Sequence, residues 1–440
     1  MKSEDKEKKS VIPEIRNRGA AFDPNKIRFA VTGIGLVTPL GTGKEINWQR
    51  LINGESQVRY EISNGAFIAR VSGFDLDEKA RQLGMAFIAA NEALAESGIK
   101  DSVYPPDRIG LACGESKLNL FNKNFLPENT FLWQLKRSLN LTGFACSVSA
   151  ACATGALNII QGCRMIEEGV CDAVICGISE TSIHPLYMAG FKNMGVLSKQ
   201  GVRPFDKDRD GFAIGEGAGF IVVEDMKKAA LRGTKIYCEI TGSSCGIFTD
   251  NVLSVNSSDG MYGIIKKAVG SEIPDYIHAH GSGTKLNDYY ESEAIKRQCG
   301  IRNAESAIKN TEKAVYSSLP APCSSFPLVS STKGSTGHML GASGIAGAVF
   351  SILAIRDNIV PPTINFKETD IPFGLNYVPD KKRAAPVDSA LSLSFGFGGQ
   401  GAALFFKKPY QENCHGALSG GRWTAPQKVE KRKSHMWYNV

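Results

Sequence analysis

Two hydrophobic rhythms alternate along this chain. The segment IRFAVTGIGLV is apolar at nearly every position and ends in the loop TPLGTG, which predicts a strand covered on both faces. KARQLGMAFIAANEALAESG has apolar residues at helical spacing and closes on Gly98, a glycine stop. DRIGLACG predicts a buried strand, CATGALNIIQGCRMIEEGV a helix and CDAVICG a strand, and GAGFIVVED, KKAALRG and KIYCEITGSS read as strand, helix, strand.

The second half repeats the rhythm. MYGIIKKAVG predicts a helix, DYIHAHGSG a strand and loop, and YYESEAIKRQCG a helix. FPLVSSTKG enters the glycine-rich STGHMLGASG, IAGAVFSILAIRDN follows as a helix, and ALSLSFGFGGQGAALFFKK reads as strand, glycine turn, strand. Alternating strands and helices in two similar halves predict a layered α/β fold. The expected division is a polar arm over 1–27, halves over 28–244 and 245–410, and a tail over 411–440.

With 440 residues and 42% hydrophobic content, the chain can bury a large core of two or three domain-sized units. Its apolar runs are too short or too interrupted to span a bilayer, and MKSEDKEKKS lacks an apolar signal core, so the expectation is a cytoplasmic protein without a membrane span. The net charge is +7, and residues 411–440 carry Arg422, Lys428, Lys431, Arg432 and Lys433 against Glu412 and Glu430. That tail reads as a solvated segment rather than a nucleic-acid or lipid site, and a basic surface also suits an acidic protein partner. Eleven cysteines without a C-x-x-C pair exclude a disulfide framework and a zinc ribbon.

Cys152 stands apart from the other cysteines. Ser149, Ala150, Ala151, Ala153 and Gly155 leave room for a tight turn, and the helix behind would aim its positive end at the sulfur and favour the thiolate. The plain alternative is a buried structural cysteine. Of six histidines, His280 in HAHGSGT and His338 in STKGSTGHMLGASG are presented by glycine loops next to strands, where functional residues concentrate. His278 shares the strand face of His280 and reads as wall. No further ligands at tight spacing support a metal site. The glycines of VTGIGLVTPLG depart from a dinucleotide loop at Thr38 and Pro39, so no nucleotide is expected there.

VTGIGLVTPLG, SAACATG, RPFDKDRDGFAIGEGAG, HGSGTKLND, STKGSTGHMLGASG and SFGFGG occur in one order over about 28–408, and in this the chain resembles the β-ketoacyl-acyl-carrier-protein synthases. The resemblance implies a thiolase fold, five-layered α-β-α-β-α from two pseudo-repeated halves. It implies Cys152 as the acyl-accepting nucleophile, His280 and His338 as the pair that promotes decarboxylation and holds the enolate, and Lys333 as the lysine of that loop. Phe397 matches the gating phenylalanine, whose N–H joins that of Cys152 in an oxyanion hole. Ser282, Thr284, Phe395 and Gly398 match substrate-binding positions, with Asp288 and Glu291 as supporting acids. No cofactor and no metal are implied. The implied partners are an acyl carrier protein and a second subunit, giving a homodimer or a heterodimer with a chain-length-factor-like protein.

Several positions depart from the family pattern. Gln400 and Gly401 follow GFGG where Thr-Asn is usual, which bears on the polar wall near pantetheine, and Ser282 stands where threonine is common. The stretch Gly110 to Cys152 is short and Arg302 to Phe326 is long, suggesting a specialised type II polyketide or polyene pathway. The alternatives are a housekeeping fatty acid elongation enzyme and a non-catalytic partner subunit, which the presence of Cys152 with both histidines argues against. A thiolase acting on coenzyme A esters would need a second cysteine where SFGFGGQGAALFF stands; Cys414, beyond the fold, is not that residue.

Overall fold

The computed structural model describes residues 27–116, 130–248, 257–300 and 326–409. Residues 1–26, 302–325 and 411–440, which hold most of the expected arm, the long loop and the basic tail, lie outside the described residues.

One mixed sheet organises these segments. Its strands are β1 (Phe29–Thr38), β2 (Ile109–Gly114), β3 (Ala145–Cys146), β4 (Ala173–Glu180), β5 (Gly217–Asp225), β6 (Cys238–Ile247), β7 (Tyr276–His278), β8 (Leu328–Ser330), β9 (Asn376–Tyr377), β10 (Ser389–Phe395) and β11 (Gln400–Lys407). Their order is β9-β8-β7-β10-β11-β6-β1-β5-β4-β2-β3. β1 lies antiparallel to β5 and β5 to β4, while β4, β2 and β3 run parallel. β6, β11, β10, β7 and β8 repeat that pattern in the same chain order. The repeats meet where β1 pairs antiparallel with β6. The boundary expected at 244/245 therefore falls inside β6, the strand that opens the second repeat. β1 pairs with this strand up to Ile240, and β11 pairs with it on past a register shift at the glycine at 242 as far as Ile247, so no linker marks the change of half.

Helices complete the layers. α1 (Glu78–Ser97) covers β1, β5 and β4, with Asp77 capping its start and Gly98, at φ 63°, ending it. The glycines of VTGIG answer to this helix: a Cβ on Gly33 or Gly35 would lie 2.1 or 1.8 Å from a carbonyl oxygen of α1. They are there for close strand–helix packing rather than for a phosphate. α2 (Thr154–Glu167) and α5 (Ala342–Asp357) form the central layer between the half-sheets, and α3 (Ser258–Val269) and α4 (Lys285–Gln298) pack together on the far side. α5 is buried at every position from Ala342 to Ile355, as a helix walled on all sides must be. No helix among the described residues is long and apolar enough to cross a membrane.

Candidate active site

Both central helices begin at one cavity, and the loops that deliver them carry the reactive groups. A narrow cleft is lined by Cys152, His280, Ser282, Thr284, His338, Phe395 and Phe397, all singled out from the sequence. Phe212, Asn287 and Gly396 also line it. Gly398 is not among the lining residues; it shapes the turn beyond Phe397, where Gly398 and Gly399 adopt φ of 87° and 77°.

Cys152 sits in a 3-10 turn, Ala151–Ala153, that runs into α2. Ala151 holds a left-handed φ of 46°, a conformation that costs a non-glycine residue about 1–3 kcal/mol and is retained where surroundings enforce it. Here Thr154 enforces it: its hydroxyl accepts from the Ala150 N–H at 2.9 Å and donates to the Ala151 carbonyl at 2.7 Å. Gly396 packs against the turn, where a Cβ would come 3.0 Å from the Cys152 nitrogen.

The thiol is 4% exposed, and burial pushes it up to about 11. The Lys333 ammonium and the backbone N–H groups of Phe397 and Cys152 draw it down, without cancelling that cost. In the resting site removal from water thus opposes the pull of the nearby positive groups and is the larger of the two. Those N–H groups remain poised for an oxygen anion formed on a group bound to the sulfur.

His280 leaves the end of β7 on the HGSG loop. Glu291 of α4 accepts the His280 and Gly281 N–H groups at 2.6 and 2.8 Å, and Asp288 accepts those of Phe205 and Gly283 at 2.7 and 3.2 Å. The two acids therefore hold backbone. Burial raises both carboxyls above their usual range. Lys333, 3% exposed, donates to the His280 carbonyl and lies 3.5 Å from His280 Nδ1. Burial lowers the Lys333 ammonium, against the pull of Glu291, Cys152 and Asp288.

His338 arrives between β8 and α5. Its N–H donates to the Ala213 carbonyl at 2.7 Å and its carbonyl accepts from Gly215 at 2.9 Å, so the FAIG segment clamps it on both sides. Phe212 stands edge-on to the ring at 5.0 Å. The rings of His280 and His338 are 5.2 Å apart at 74°. Burial and Lys333 push both well below the ordinary imidazole range, so both rings are neutral near pH 7. His278 points away into the central layer beside Phe350, with Nε2 3.1 Å from the Thr332 hydroxyl.

Gln400 and Gly401 open β11 and are not among the residues that line this cleft. Asn287 and Phe212 lay inside quoted motifs, yet only the folded loops turn them toward the cleft. No cluster of three or more metal-ligating side chains occurs among the described residues. Together the groups offer a nucleophile, a pair of backbone donors and two neutral imidazoles on one cavity.

The beta-ketoacyl synthase N-terminal domain model matches residues 134–229, and the C-terminal domain model matches 237–313 and 310–367. The first range holds Cys152; the second model's ranges hold His280, Lys333 and His338. The chain is 33% identical over 434 residues to 3-oxoacyl-[acyl-carrier-protein] synthase 2 of Synechocystis sp., covering 87% of this chain and 98% of that relative. A type II polyketide ketosynthase solved with its acyl-carrier protein and a hexaketide superposes with a TM-score of 0.74 at 27% identity, over 87% of this chain and 100% of that one. The ishigamide ketosynthase/chain length factor superposes equally well, at 0.74 and 27%, over 88% and 100%. This thiolase-fold chain belongs to the β-ketoacyl-acyl-carrier-protein synthase family, the condensing acyltransferases of fatty acid and type II polyketide synthesis.

Proposed function

We propose that Cys152 accepts an acyl chain from a carrier-protein thioester and that His280 and His338 drive its condensation with a malonyl thioester. In the first step the Cys152 sulfur attacks the acyl carbonyl, the Phe397 and Cys152 N–H groups hold the oxyanion, and the departing thiolate takes the Cys152 proton. In the second step malonyl thioester loses carbon dioxide, and the charge left on its thioester oxygen is held by one N–H from each imidazole. The carbanion then attacks the Cys152 thioester, and the Cys152 thiolate leaves and takes a proton from water. Lys333 donates toward Nδ1 of His280 and so keeps the proton on its Nε2, while Ser282 and Thr284 face the pantetheine arm. The observation that carries this reading is the meeting of one buried free thiol, two backbone donors and two neutral imidazoles on one cleft.

An acyl carrier protein as donor is supported by the names of the relatives and suits the +7 net charge, since such a partner would be acidic. A specialised type II polyketide or polyene pathway is supported by the long 302–326 segment and by the ketosynthase neighbours; housekeeping fatty acid elongation is favoured instead by the greater identity to 3-oxoacyl synthases, 33% against 29% for a putative polyketide synthase of Streptomyces cyaneus. Assembly as a homodimer, or as a heterodimer with a chain-length-factor-like subunit, goes with the same neighbours. Free thiols at all described cysteines suit a reducing cytoplasmic compartment. Intact-mass analysis after incubation with acyl carrier-protein thioester tests the core of the reading. Wild type should gain one acyl group, and Cys152→Ala should gain none while still releasing carbon dioxide slowly from malonyl thioester. Acylation of the alanine variant would refute the assignment.

A further inference from the structure

We infer that Ser343 is a positioning residue that fixes which ring nitrogen of His338 carries the proton. The inference rests on the reading of His338 as an N–H donor to the enolate. Ser343 is the second residue of α5, 9% exposed, and its hydroxyl lies 3.0 Å from His338 Nδ1. The same oxygen accepts the Met339 N–H at 2.9 Å.

A count of protons decides the direction of the ring contact. The Met339 N–H can only donate, so it occupies one lone pair of Ser343 Oγ. The hydroxyl retains one proton, and Nδ1 of His338 is the acceptor within reach. Were Nδ1 protonated, Oγ would accept twice and its own proton would be buried without a partner, which is costly. Ser343 therefore donates to Nδ1, Nδ1 carries the lone pair, and the proton stands on Nε2. His338 is 1% exposed and neutral, so the ring cannot satisfy both needs by becoming imidazolium.

Lys333 does the same for His280 by a different route. The Lys333 ammonium, which has no lone pair to offer, lies 3.5 Å from His280 Nδ1 and likewise leaves the proton on Nε2. The two imidazoles, carried by loops 58 residues apart, reach the same tautomer through two unrelated donors, a lysine and a serine. Two Nε2–H groups are what an enolate oxygen between the rings needs; a ring with its proton on Nδ1 would offer that oxygen a lone pair and repel it. Ser343 thus touches neither substrate nor sulfur and acts through His338.

The test uses the full-length protein with ring-15N-labelled histidine, and the His338 signal is assigned by its loss in His338→Gln. Wild type should show His338 neutral and protonated on Nε2. Ser343→Ala should bring in the Nδ1–H form and slow carbon dioxide release from malonyl thioester by about 10- to 100-fold, the range seen when a histidine's orienting partner is removed elsewhere. Cys152 acylation and the KM for malonyl thioester should stay within about twofold, because the lost donor matters only once enolate charge appears. Ser343→Thr, which keeps the hydroxyl, should restore both the ring signal and the rate. Wild-type His338 protonated on Nδ1, undiminished carbon dioxide release in Ser343→Ala, or an equal fall in acylation and decarboxylation would each overturn the inference. If wild type itself released no carbon dioxide, the functional reading would fail, and the ring signals of wild type and Ser343→Ala would still decide what Ser343 does.

Discussion

His280 and His338 line one cavity near Lys333, and neither can be charged there without cost. A neutral donor pair is worth most where negative charge forms in a water-poor cleft, which places the pair in the malonyl step. Replacing either with alanine should cut carbon dioxide release by about 10²–10³-fold, the loss typical of one such donor. Acylation of Cys152 should remain measurable in both variants. Single-turnover assays that follow the two half-reactions separately decide this, and normal decarboxylation beside lost acylation would reverse the roles. The sequence already singled out these three side chains through their glycine and small-residue surroundings. It could not show how deeply the thiol is buried, because the turn that carries Cys152 is covered by β10, β11 and α5, all distant along the chain. Phe212 and Asn287 escaped notice for the same reason: their direction depends on loops that the fold sets.

The crossing of α2 and α5 delivers Cys152 and His338 to the same place. Gly155 makes that approach possible, since its N–H donates to the Gly341 carbonyl at 3.2 Å and a Cβ there would stand 2.7 Å from that oxygen and from the Ile345 nitrogen. Gly155→Ala should therefore destabilise the fold by about 1–3 kcal/mol, as overpacking does, and separate the two reactive residues. A urea midpoint shifted down with unchanged slope, together with a slower condensation rate, is the expected outcome; an unshifted midpoint would show that the helices can part freely. The long strands and amphipathic α1 were legible because their patterns match one buried face or two. Strands of two residues, such as β3 and β9, leave no periodic trace, and their partners alone define them.

Across the whole molecule, three buried imidazoles link stability to pH. His278, lowered to about 3, and His280 and His338, also lowered, stay neutral when folded and take up protons near 6.5 when unfolded. Stability from them is present above that pH and is lost as pH falls below it. Glu291, raised by burial, binds its proton earlier in the folded state and opposes one of the three. Unfolding therefore takes up net protons below about pH 6.5, and stability should fall as the pH is lowered from there. Urea titrations at pH 7.5 and 5.5 measure it, and a flat profile would contradict neutral burial of these rings. The sequence by itself determined the alternation of strands and helices, the doubled architecture and the choice of Cys152, His280 and His338 as candidates, because these follow from local patterns of apolarity and small-residue spacing. The tertiary structure alone decided that β1 and β6 pair directly across the two halves, that burial governs the Cys152 thiol, and that Ser343 and Lys333 come to stand beside the two rings. Each of those depends on atoms brought within a few ångströms across long stretches of chain, a distance that no local pattern records.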